Sequence, residues 1–289
     1  MPPARKALLQ IHLCVVIWGF TAILGKLITL PAFALVWWRM FLVVAALVFI
    51  PAFWRGLRRM SLRTVGIFAG IGVVVALHWV TFYGAIKLAN ASVAATCMGV
   101  APIIMSVVEP WITRKRFDPR ELMIGVAAIP GVMLVVGGTP QGMRLGIAAG
   151  VLSAFLVAVF GSLNKRYVEL GEPMAVTGLE LAAGTAFLTL LAAMFGGTAT
   201  RLPMPDAHDA VLLVVLSLAC TLFPFALSLV ALRNLSAFSA QLAVSLEPVY
   251  AVFLAMLLLG EQRELGLQFY AGLAVILGSV FAHAALKRA

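Results

Sequence analysis

Long apolar stretches alternate along the chain with short clusters of charged residues, glycine and proline. Cutting the sequence at those clusters leaves ten apolar segments, each about the 20 residues that a helix needs to cross a bilayer. The predicted spans are 7–29, 32–53, 64–87, 91–113, 120–137, 145–164, 174–196, 210–232, 236–259 and 266–286. Arg5 and Lys6 precede the first apolar run as in a signal peptide. That run is long for a signal peptide and no A-x-A-like cleavage site follows it, so we interpret it as a membrane helix.

The composition supports this interpretation. Apolar residues make up 63% of the 289 residues and charged residues 11%, against about 25% charged in ordinary soluble domains. A soluble globular protein is therefore excluded. Glycine and proline follow no fixed period and there are three cysteines, which excludes the collagen-like, disordered and disulfide-scaffold classes. The predicted fold class is an all-α integral membrane protein with ten transmembrane helices.

The net charge of +10 is distributed unevenly between the predicted loops. Most of the cationic residues fall on the side of the N-terminus. They are Arg5, Lys6, Arg55, Arg58, Arg59, Arg63, Arg114, Lys115, Arg116, Arg120, Lys165, Arg166, Arg233, Lys287 and Arg288. Four fall on the other side: Lys87, Arg144, Arg201 and Arg263. The positive-inside rule then predicts that both termini are cytoplasmic, and no nucleic acid partner is expected from loops this short.

The two halves of the chain are weakly similar at a nearly constant offset. The matched pairs are Gly19 with Gly161, Pro31 with Pro173, Ala85 with Ala231, Pro102 with Pro248, Gly125 with Gly272, and Gly131 with Gly278. Chance coincidence in an apolar chain is the alternative interpretation. We predict two five-helix units, residues 1–140 and 141–289. An odd number of spans per unit gives the units opposite orientations, as in secondary transporters that bind substrate in a central cavity between inverted repeats.

The last two predicted spans read SLEPVYAVFLAMLLLGEQRELGLQFYAGLAVILGSVF. This segment resembles the EamA family of the drug/metabolite transporter superfamily, whose repeat has a proline in its fourth helix, an "LGE" helix end and a glycine-rich fifth helix. Here these features are Pro248, the sequence Leu259-Gly260-Glu261, and Gly272 with Gly278. In the first copy, Arg114-Lys115-Arg116 stands in place of the "LGE".

The resemblance implies ten helices in the bacterial inner membrane with cytoplasmic termini. It also implies a cavity lined by the first four helices of each copy, with the fifth and tenth spans packed outside. Its members are similar to exporters of amino acids, other metabolites and drugs. A small-molecule substrate and the lipid bilayer are therefore the expected partners, protons are the expected coupling ion, and the chain is either a monomer or a homodimer.

Three ionisable residues are predicted deep within spans, where each charge costs at least about 2.5–3.5 kcal/mol. Glu247 precedes Pro248, and we predict that it couples transport to protons and contacts substrate; alternatively it pairs with Arg39 as a structural lock. Arg39 can bind a carboxylate or phosphate or belong to the scaffold. Glu180 either pairs with Arg39 or titrates on its own.

Several aromatic side chains complete the predicted substrate site. In the third span His78 pairs with Phe82, and Trp79 with Tyr83, at i, i+4 spacing, where they can stack on a planar substrate or simply pack in the bundle. The remaining candidates are Trp18 and Tyr250. Pro102 and Pro248 are predicted to kink their helices.

Glu109 and two glycine motifs are predicted to have structural roles. Glu109 and Glu247 align with Ala255 and Ala101, which predicts that the acids break the symmetry of the repeat. For Glu109 we predict a salt bridge with Arg114 at the membrane surface. The Gly66-x-x-x-Gly70 and Gly146-x-x-x-Gly150 motifs predict close helix contacts, either within the bundle or, less often, at a dimer face.

No motif indicates an enzyme. The cysteines are isolated, the histidines lack HExxH spacing, and there is no P-loop, so neither a metal nor a cofactor is expected. The favoured hypothesis is a proton-coupled exporter of a small metabolite such as an amino acid, working by alternating access. The alternative is an exporter of cationic drugs or quaternary amines that uses a buried glutamate and an aromatic cage. A channel or an intramembrane enzyme is less favoured, because no catalytic cluster is present and a channel has no need of asymmetric buried charges.

Overall fold

The computed structural model describes residues 3–127, 129–244 and 246–286, and within these ranges it contains helices and no strands. The α-helices, in chain order, are α1 Pro3–Leu27, α2 Ala32–Val48, α3 Pro51–Arg58, α4 Leu62–Leu88, α5 Ala91–Met98, α6 Ala101–Thr113, α7 Pro119–Ala127, α8 Ile129–Gly137, α9 Arg144–Tyr167, α10 Pro173–Phe195, α11 Ala207–Ser217, α12 Phe223–Leu232, α13 Ala237–Val244, α14 Glu247–Leu259 and α15 Leu267–Leu286. A π-helical turn at Leu218–Leu222 joins α11 to α12. Lys287 and Arg288, which contribute to the predicted charge asymmetry, lie outside the described residues.

The helices account for all ten predicted spans. Among the described residues, seven helical segments are long and apolar enough to cross a membrane. They are Pro3–Leu27, Leu62–Leu88, Ala91–Thr113, Gln141–Leu170, Pro173–Phe195, Ala207–Leu232 and Ala237–Leu259. The fifth span corresponds to α7 and α8, the tenth to α15, and the second to α2 with α3. This arrangement is consistent with ten membrane helices and agrees with the predicted all-α membrane fold.

The second span is shorter than predicted. The apolar run 32–53 is not one straight helix, because α2 ends at Val48 and the chain turns through 90° into α3. Proline favours the first turn of a helix and disfavours helical geometry in the residue before it. Ile50 accordingly has extended backbone angles and Pro51 begins α3.

The fourth and ninth spans each consist of a shorter and a longer helical segment, divided at the same place. Helices α5 and α13 have 8 residues each, and α6 and α14 have 13 each. Pro102 and Pro248 lie in the first turns of α6 and α14, where the missing backbone N–H has no partner to lose. The segments on either side of each proline still form one membrane-spanning helix, Ala91–Thr113 and Ala237–Leu259, so each predicted kink lies at an interruption within a continuous span.

The ends of α6 and α14 also match. Arg114 and Gly260, the residues that follow these helices, both adopt left-handed backbone geometry, with φ of 58° and 70°. Glycine reaches this region without strain, whereas a residue with a Cβ does so at a cost. Arg114 therefore carries strain that the glycine of the "LGE" sequence avoids in the second copy.

Two buried glutamates connect the fourth span with the ninth. Glu109, near the end of α6, accepts hydrogen bonds at 3.0 and 2.7 Å from the backbone N–H groups of Ala237 and Phe238, which begin α13. Glu261, after α14, accepts bonds at 3.0 and 2.8 Å from those of Ala91 and Ser92, which begin α5. Each carboxylate thus satisfies the exposed N-terminal donors of a helix in the other copy.

This exchange corrects the prediction for Glu109. Its carboxylate is 2% exposed and is bound to the start of α13, whereas a surface salt bridge with Arg114 was expected. The alignment concealed the equivalence, because Glu109 lies within its helix and Glu261 lies beyond the end of its own. Glu109 and Glu261 therefore occupy corresponding places in the two copies, whereas the sequence predicted that Glu109 breaks the symmetry of the repeat.

Contacts between helices occur in matched pairs. Helix α4 packs on α9 and α12 packs on α1; α6 packs on α9 and α14 packs on α1. Helix α15 packs on α7 and α8, where a Cβ on Gly272 would lie 2.5 Å from the carbonyl oxygen of Gly131. The contacts that α4 and α6 make with α9 thus match those that α12 and α14 make with α1.

The predicted small-residue motifs have different outcomes. A Cβ on Gly146 would meet Ala89, and one on Gly150 would meet Cys97, so that motif lies in a tight helix contact. A Cβ on Gly66 or Gly70 would have nothing within 4 Å in the described structure. The Gly66-x-x-x-Gly70 motif is therefore not a helix contact within the described part of the bundle. The packing of Gly125, one of the aligned glycines, lies outside the described residues.

Exchanging the residues at the two left-handed positions tests the strain at Arg114. We expect Arg114→Gly to raise the free energy of unfolding by about 1 kcal/mol and Gly260→Arg to lower it by a similar amount. A Cβ on Gly260 would have open space around it, so the effect there comes from the backbone. Thermal unfolding in detergent measures both variants, and a stabilising Gly260→Arg or a destabilising Arg114→Gly would contradict the interpretation.

Neutralising the exchanged carboxylates tests their structural role. We expect Glu261→Gln and Glu109→Gln each to lower the free energy of unfolding by roughly 1.5–3 kcal/mol, because hydrogen bonds to charged groups are lost in a buried place. Glu169→Gln is the matched control, since Glu169 is exposed. Equal unfolding temperatures for all three variants would show that the carboxylates do not hold the copies together.

Candidate functional site

A cavity of about 130 Å³ lies between the two halves of the bundle. Five predicted site residues line it: Trp18, Arg39, His78, Trp79 and Glu247. Three others do not: Tyr83, Glu180 and Tyr250. The cavity therefore brings together side chains from α1, α2, α4 and α14, which are far apart in sequence.

The cavity extends toward one end of the bundle. Ile11, Leu232 and Ala237 line it near the start of α1, the end of α12 and the start of α13. All three positions are on the side of the cationic loops. The cavity is directed toward that side.

The opposite end is closed by buried residues and hydrogen bonds. Ile28 and Ile86 are fully buried there. Asp209, at the start of α11, accepts bonds at 2.9 Å from the backbone N–H of Thr29, 2.8 Å from its hydroxyl and 3.2 Å from the N–H of Leu30. Lys87 donates to the carbonyl oxygen of Ile28.

Arg39 is fixed in place on three sides. Its Nε donates to Thr221 Oγ1 at 2.6 Å, and its Nη1 donates to the hydroxyl of Tyr83 at 2.7 Å. Its guanidinium carbon lies 3.9 Å from the ring centroid of Trp79, which is cation–π geometry. A guanidinium has five N–H donors, so other donors remain for a ligand in the cavity.

Tyr83 and Trp79 both contact Arg39. Tyr83 is fully buried behind Arg39 and positions it. Trp79 lines the cavity but presents a ring face to the guanidinium. Both side chains organise Arg39, and that face of Trp79 is already occupied.

The π-helical turn places Thr221 where Arg39 can reach it. The hydroxyl of Thr221 donates to the carbonyl oxygen of Leu216 at 2.6 Å while accepting the bond from Arg39. Pro224 follows the turn and cannot donate a backbone hydrogen bond. Such π turns are frequent at functional sites, and Pro224 was the only sequence signal for this one.

His78 joins two helices as well as lining the cavity. Its Nδ1 lies 2.8 Å from the hydroxyl oxygen and 3.0 Å from the carbonyl oxygen of Ser153 in α9. The Ser153 hydroxyl also lies within hydrogen-bonding distance, 2.9 Å, of the His78 carbonyl oxygen. The ring stacks on Phe82, its predicted i, i+4 neighbour, at 6.3 Å between centroids. These contacts fasten α4 to α9.

Glu247 is the first residue of α14 and lines the cavity with 8% of its surface exposed. Among the described residues no ion pair joins it to Arg39. The lock between these two residues, one of the alternatives from the sequence, is therefore not formed. An acidic and a basic side chain from different halves of the chain thus line the same cavity without forming an ion pair.

Glu180 lies behind the cavity wall. It is fully buried, and one of its oxygens lies 3.4 Å from the amide nitrogen of Asn164, which lines the cavity. Its other oxygen, the Asn164 amide oxygen and the Thr177 hydroxyl have no hydrogen-bond partner in the described structure. Of the two alternatives for Glu180, the pairing with Arg39 is not formed among the described residues, where Arg39 donates to Thr221 and Tyr83.

Tyr250 lies on the outside of this region. Its side chain is 40% exposed, and its Cβ lies 2.8 Å from where a Cβ on Gly19 would be. It closes the contact between α1 and α14 and does not line the cavity.

The cavity also contains polar residues that the sequence did not single out. They are Thr21, Asn164, Thr221, Ser228 and Gln241. Hydroxyls within membrane helices often bond to their own backbone, so they give little signal. The amides of Asn164 and Gln241 were the stronger signal, because a buried amide in a span needs polar partners.

Comparisons with known proteins agree with this architecture. The model of the EamA-like transporter family matches residues 5–137 and 144–283. The chain is 26% identical over 273 residues to an uncharacterized transporter of Archaeoglobus fulgidus, covering 90% of this chain and 91% of that protein. It is 24% identical over 162 residues to the uncharacterized transporter YyaM of Bacillus subtilis, covering 53% of each. A solved crystal structure superimposes with a TM-score of 0.71 over 98% of both chains at 16% identity, which shows the fold alone.

Removing either partner of Arg39 tests how it is held. We expect Tyr83→Phe and Thr221→Val each to lower the free energy of unfolding by about 1–3 kcal/mol, because a buried charged donor loses its acceptor. Thr185→Val is the control, since the Thr185 hydroxyl bonds only to Leu181 of its own helix in the described structure. Denaturation in detergent measures all three, and a Thr221→Val effect no larger than that of the control would contradict this geometry.

Proposed function

Since one family model matches both halves of the chain, the protein belongs to the EamA-like transporter family, and we propose that it is a proton-coupled exporter of a small zwitterionic metabolite such as an amino acid. It is a multi-pass membrane transporter, as the family and the apolar helices establish. The observation that supports the substrate class is the presence of Arg39 and Glu247 in one cavity without an ion pair between them.

Each charged group of the substrate has a matching side chain. Arg39 is held rigidly and has unused donors, so it binds the substrate carboxylate through parallel hydrogen bonds. Glu247 binds the ammonium group. Phe160 and Phe225 line the same cavity and pack against the apolar part of the substrate.

Proton coupling follows from competition at Glu247. A carboxylate that is 8% exposed is costly to leave charged and unpaired in a membrane protein. It therefore holds either a proton or the substrate ammonium. A proton arriving from outside displaces the substrate, and departure of that proton to the cytoplasm prepares the site for the next substrate.

Alternating access uses the interruptions within the fourth and ninth spans. The positive-inside rule places the cationic loops in the cytoplasm, so the cavity faces inward and the seal formed by Asp209, Thr29 and Leu30 is the outer gate. The breaks between α5 and α6 and between α13 and α14 provide hinges. The breaks lie beside the cavity, next to Met98 and Glu247.

An exporter of cationic drugs is the second candidate. It needs open aromatic faces around a carboxylate. Two features of the cavity disfavour it. The Arg39 guanidinium covers the Trp79 ring at 3.9 Å, and the positive charge of Arg39 repels a cationic substrate. Binding that survives Arg39→Ala and is lost in Glu247→Gln would favour this candidate, whereas a zwitterion exporter needs both residues.

A ligand screen followed by transport assays tests the proposal. Amino acids, nucleosides, polyamines and quaternary amines are compared for the rise they cause in unfolding temperature, because a ligand that binds the native fold stabilises it. We expect an amino acid to give the largest rise in unfolding temperature, and we expect this rise to disappear in Arg39→Ala. A response to quaternary amines alone would contradict the substrate class.

The coupling role of Glu247 requires reconstitution in liposomes. We expect a pH gradient to accelerate transport of the identified ligand by the natural protein, and this acceleration to disappear in Glu247→Gln. Glu169→Gln, at an exposed position, is expected to behave like the natural protein. Equal stimulation by the gradient in Glu247→Gln and the natural protein would exclude Glu247 as the coupling residue.

A further inference from the structure

A second cavity of about 810 Å³ lies on the outer side of the bundle, away from the substrate site. It is a groove between α3, the start of α10 and the strip formed by the π-helical turn and α12. Its lining consists of Ala52, Arg55, Gly56, Arg59, Glu172, Pro173, Met174, Leu218, Leu222, Phe223, Ala226, Leu227 and Val230. None of these residues lines the central cavity, so the groove is a separate feature.

One wall of the groove is apolar and lies within a membrane-spanning segment. Leu218, Phe223 and Ala226 belong to the span Ala207–Leu232. Leu218 is 39% exposed and Phe223 is 51% exposed. This wall is therefore in contact with hydrocarbon chains.

The mouth of the groove is cationic. Arg55 and Arg59 are exposed on and just after α3, which leaves α2 at 90°. Trp54 on the same helix is 41% exposed, as is usual for a residue at the membrane surface. A short helix with arginines and tryptophan that turns away from a span lies in the headgroup region.

Helix α3 is fixed over the groove by tight packing. A Cβ on Gly56 would lie 2.6 Å from the Cβ of Ala175, and one on Gly178 would lie 2.4 Å from the ring of Phe53. These contacts attach α3 to α10. The guanidinium groups are thus held at headgroup height above the apolar wall.

We propose that the groove binds an anionic phospholipid. Arg55 and Arg59 bind its phosphate, since guanidinium groups pair with phosphate oxygens and basic pockets between helices bind acidic headgroups. The acyl chain lies along Leu218, Leu222 and Leu227. Glu172 lines the same mouth and accepts hydrogen bonds from headgroup hydroxyls, so phosphatidylglycerol fits this site better than phosphatidylcholine.

The lipid also reaches the structure that positions Arg39. Leu218 and Leu222 of the π-helical turn line the groove, and Thr221 of the same turn lines the central cavity and bonds to Arg39. A lipid chain against this turn therefore supports the position of Thr221 from the opposite face. The binding itself depends only on the membrane fold and stands whatever the transported substrate is.

Native mass spectrometry with phosphatidylglycerol and phosphatidylcholine tests the proposal. We expect the natural protein to retain phosphatidylglycerol preferentially. The double variant Arg55→Gln with Arg59→Gln should weaken that retention about 30-fold. Arg116→Gln with Arg120→Gln removes the same charge from another loop on the same side and is expected to retain the lipid like the natural protein.

A second variant distinguishes the groove from the surface charge. Ala226→Trp fills the apolar wall and leaves both arginines in place, so it should also reduce retention. Equal retention in the Arg55/Arg59 variant and the control pair would overturn the proposal. So would a dimer that dissociates on Ala226→Trp with unchanged lipid retention, because the groove would then hold a second copy of the chain.

Discussion

Backbone N–H groups at the start of a membrane helix must find acceptors, since neither lipid nor a dry protein interior supplies them. This constraint organises the bundle. A glutamate from the other copy binds the start of each of two spans: Glu261 binds the fourth span at α5, and Glu109 binds the ninth span at α13. The exchange ties the copies together at opposite ends of the bundle, and the interruptions of the two spans, next to Met98 and Glu247, border the cavity.

The structural features of the scaffold occur in both halves of the chain, whereas the charged residues of the cavity occur only once. The helix lengths, the breaks, the left-handed ends and the capping carboxylates occur twice. Arg39 and Glu247 occur once, and Ala101 occupies the position of Glu247 in the first copy. A symmetric frame can move between two equivalent states, whereas a substrate with distinct ends requires an asymmetric site. The division between frame and site is the physical basis of the proposed function.

The apolar pattern predicted the helices well, because a span has few ways to satisfy its backbone in lipid. It failed where local geometry decided the outcome. Pro51 turns the second span aside, and Glu109 reaches α13 from within its helix; hydropathy encodes neither feature. The cavity contained five of the eight predicted substrate and coupling residues, chosen because charges and aromatic groups in spans need partners. Tyr250 lies outside, and the support of Arg39 by Thr221 depends on a π-helical turn that the sequence marked only by Pro224.

The central claim is that the cavity around Arg39 and Glu247 is the substrate path and opens on the side of the cationic loops. Its most direct test is the labelling of a single cysteine at Ala240, which lines the cavity, in a chain whose Cys14, Cys97 and Cys220 are replaced. A membrane-impermeant thiol reagent should label Ala240→Cys from the cytoplasmic side, and a ligand found by the stability screen should protect it. Labelling from the outer side alone, or full labelling in the presence of a saturating ligand, would contradict the claim.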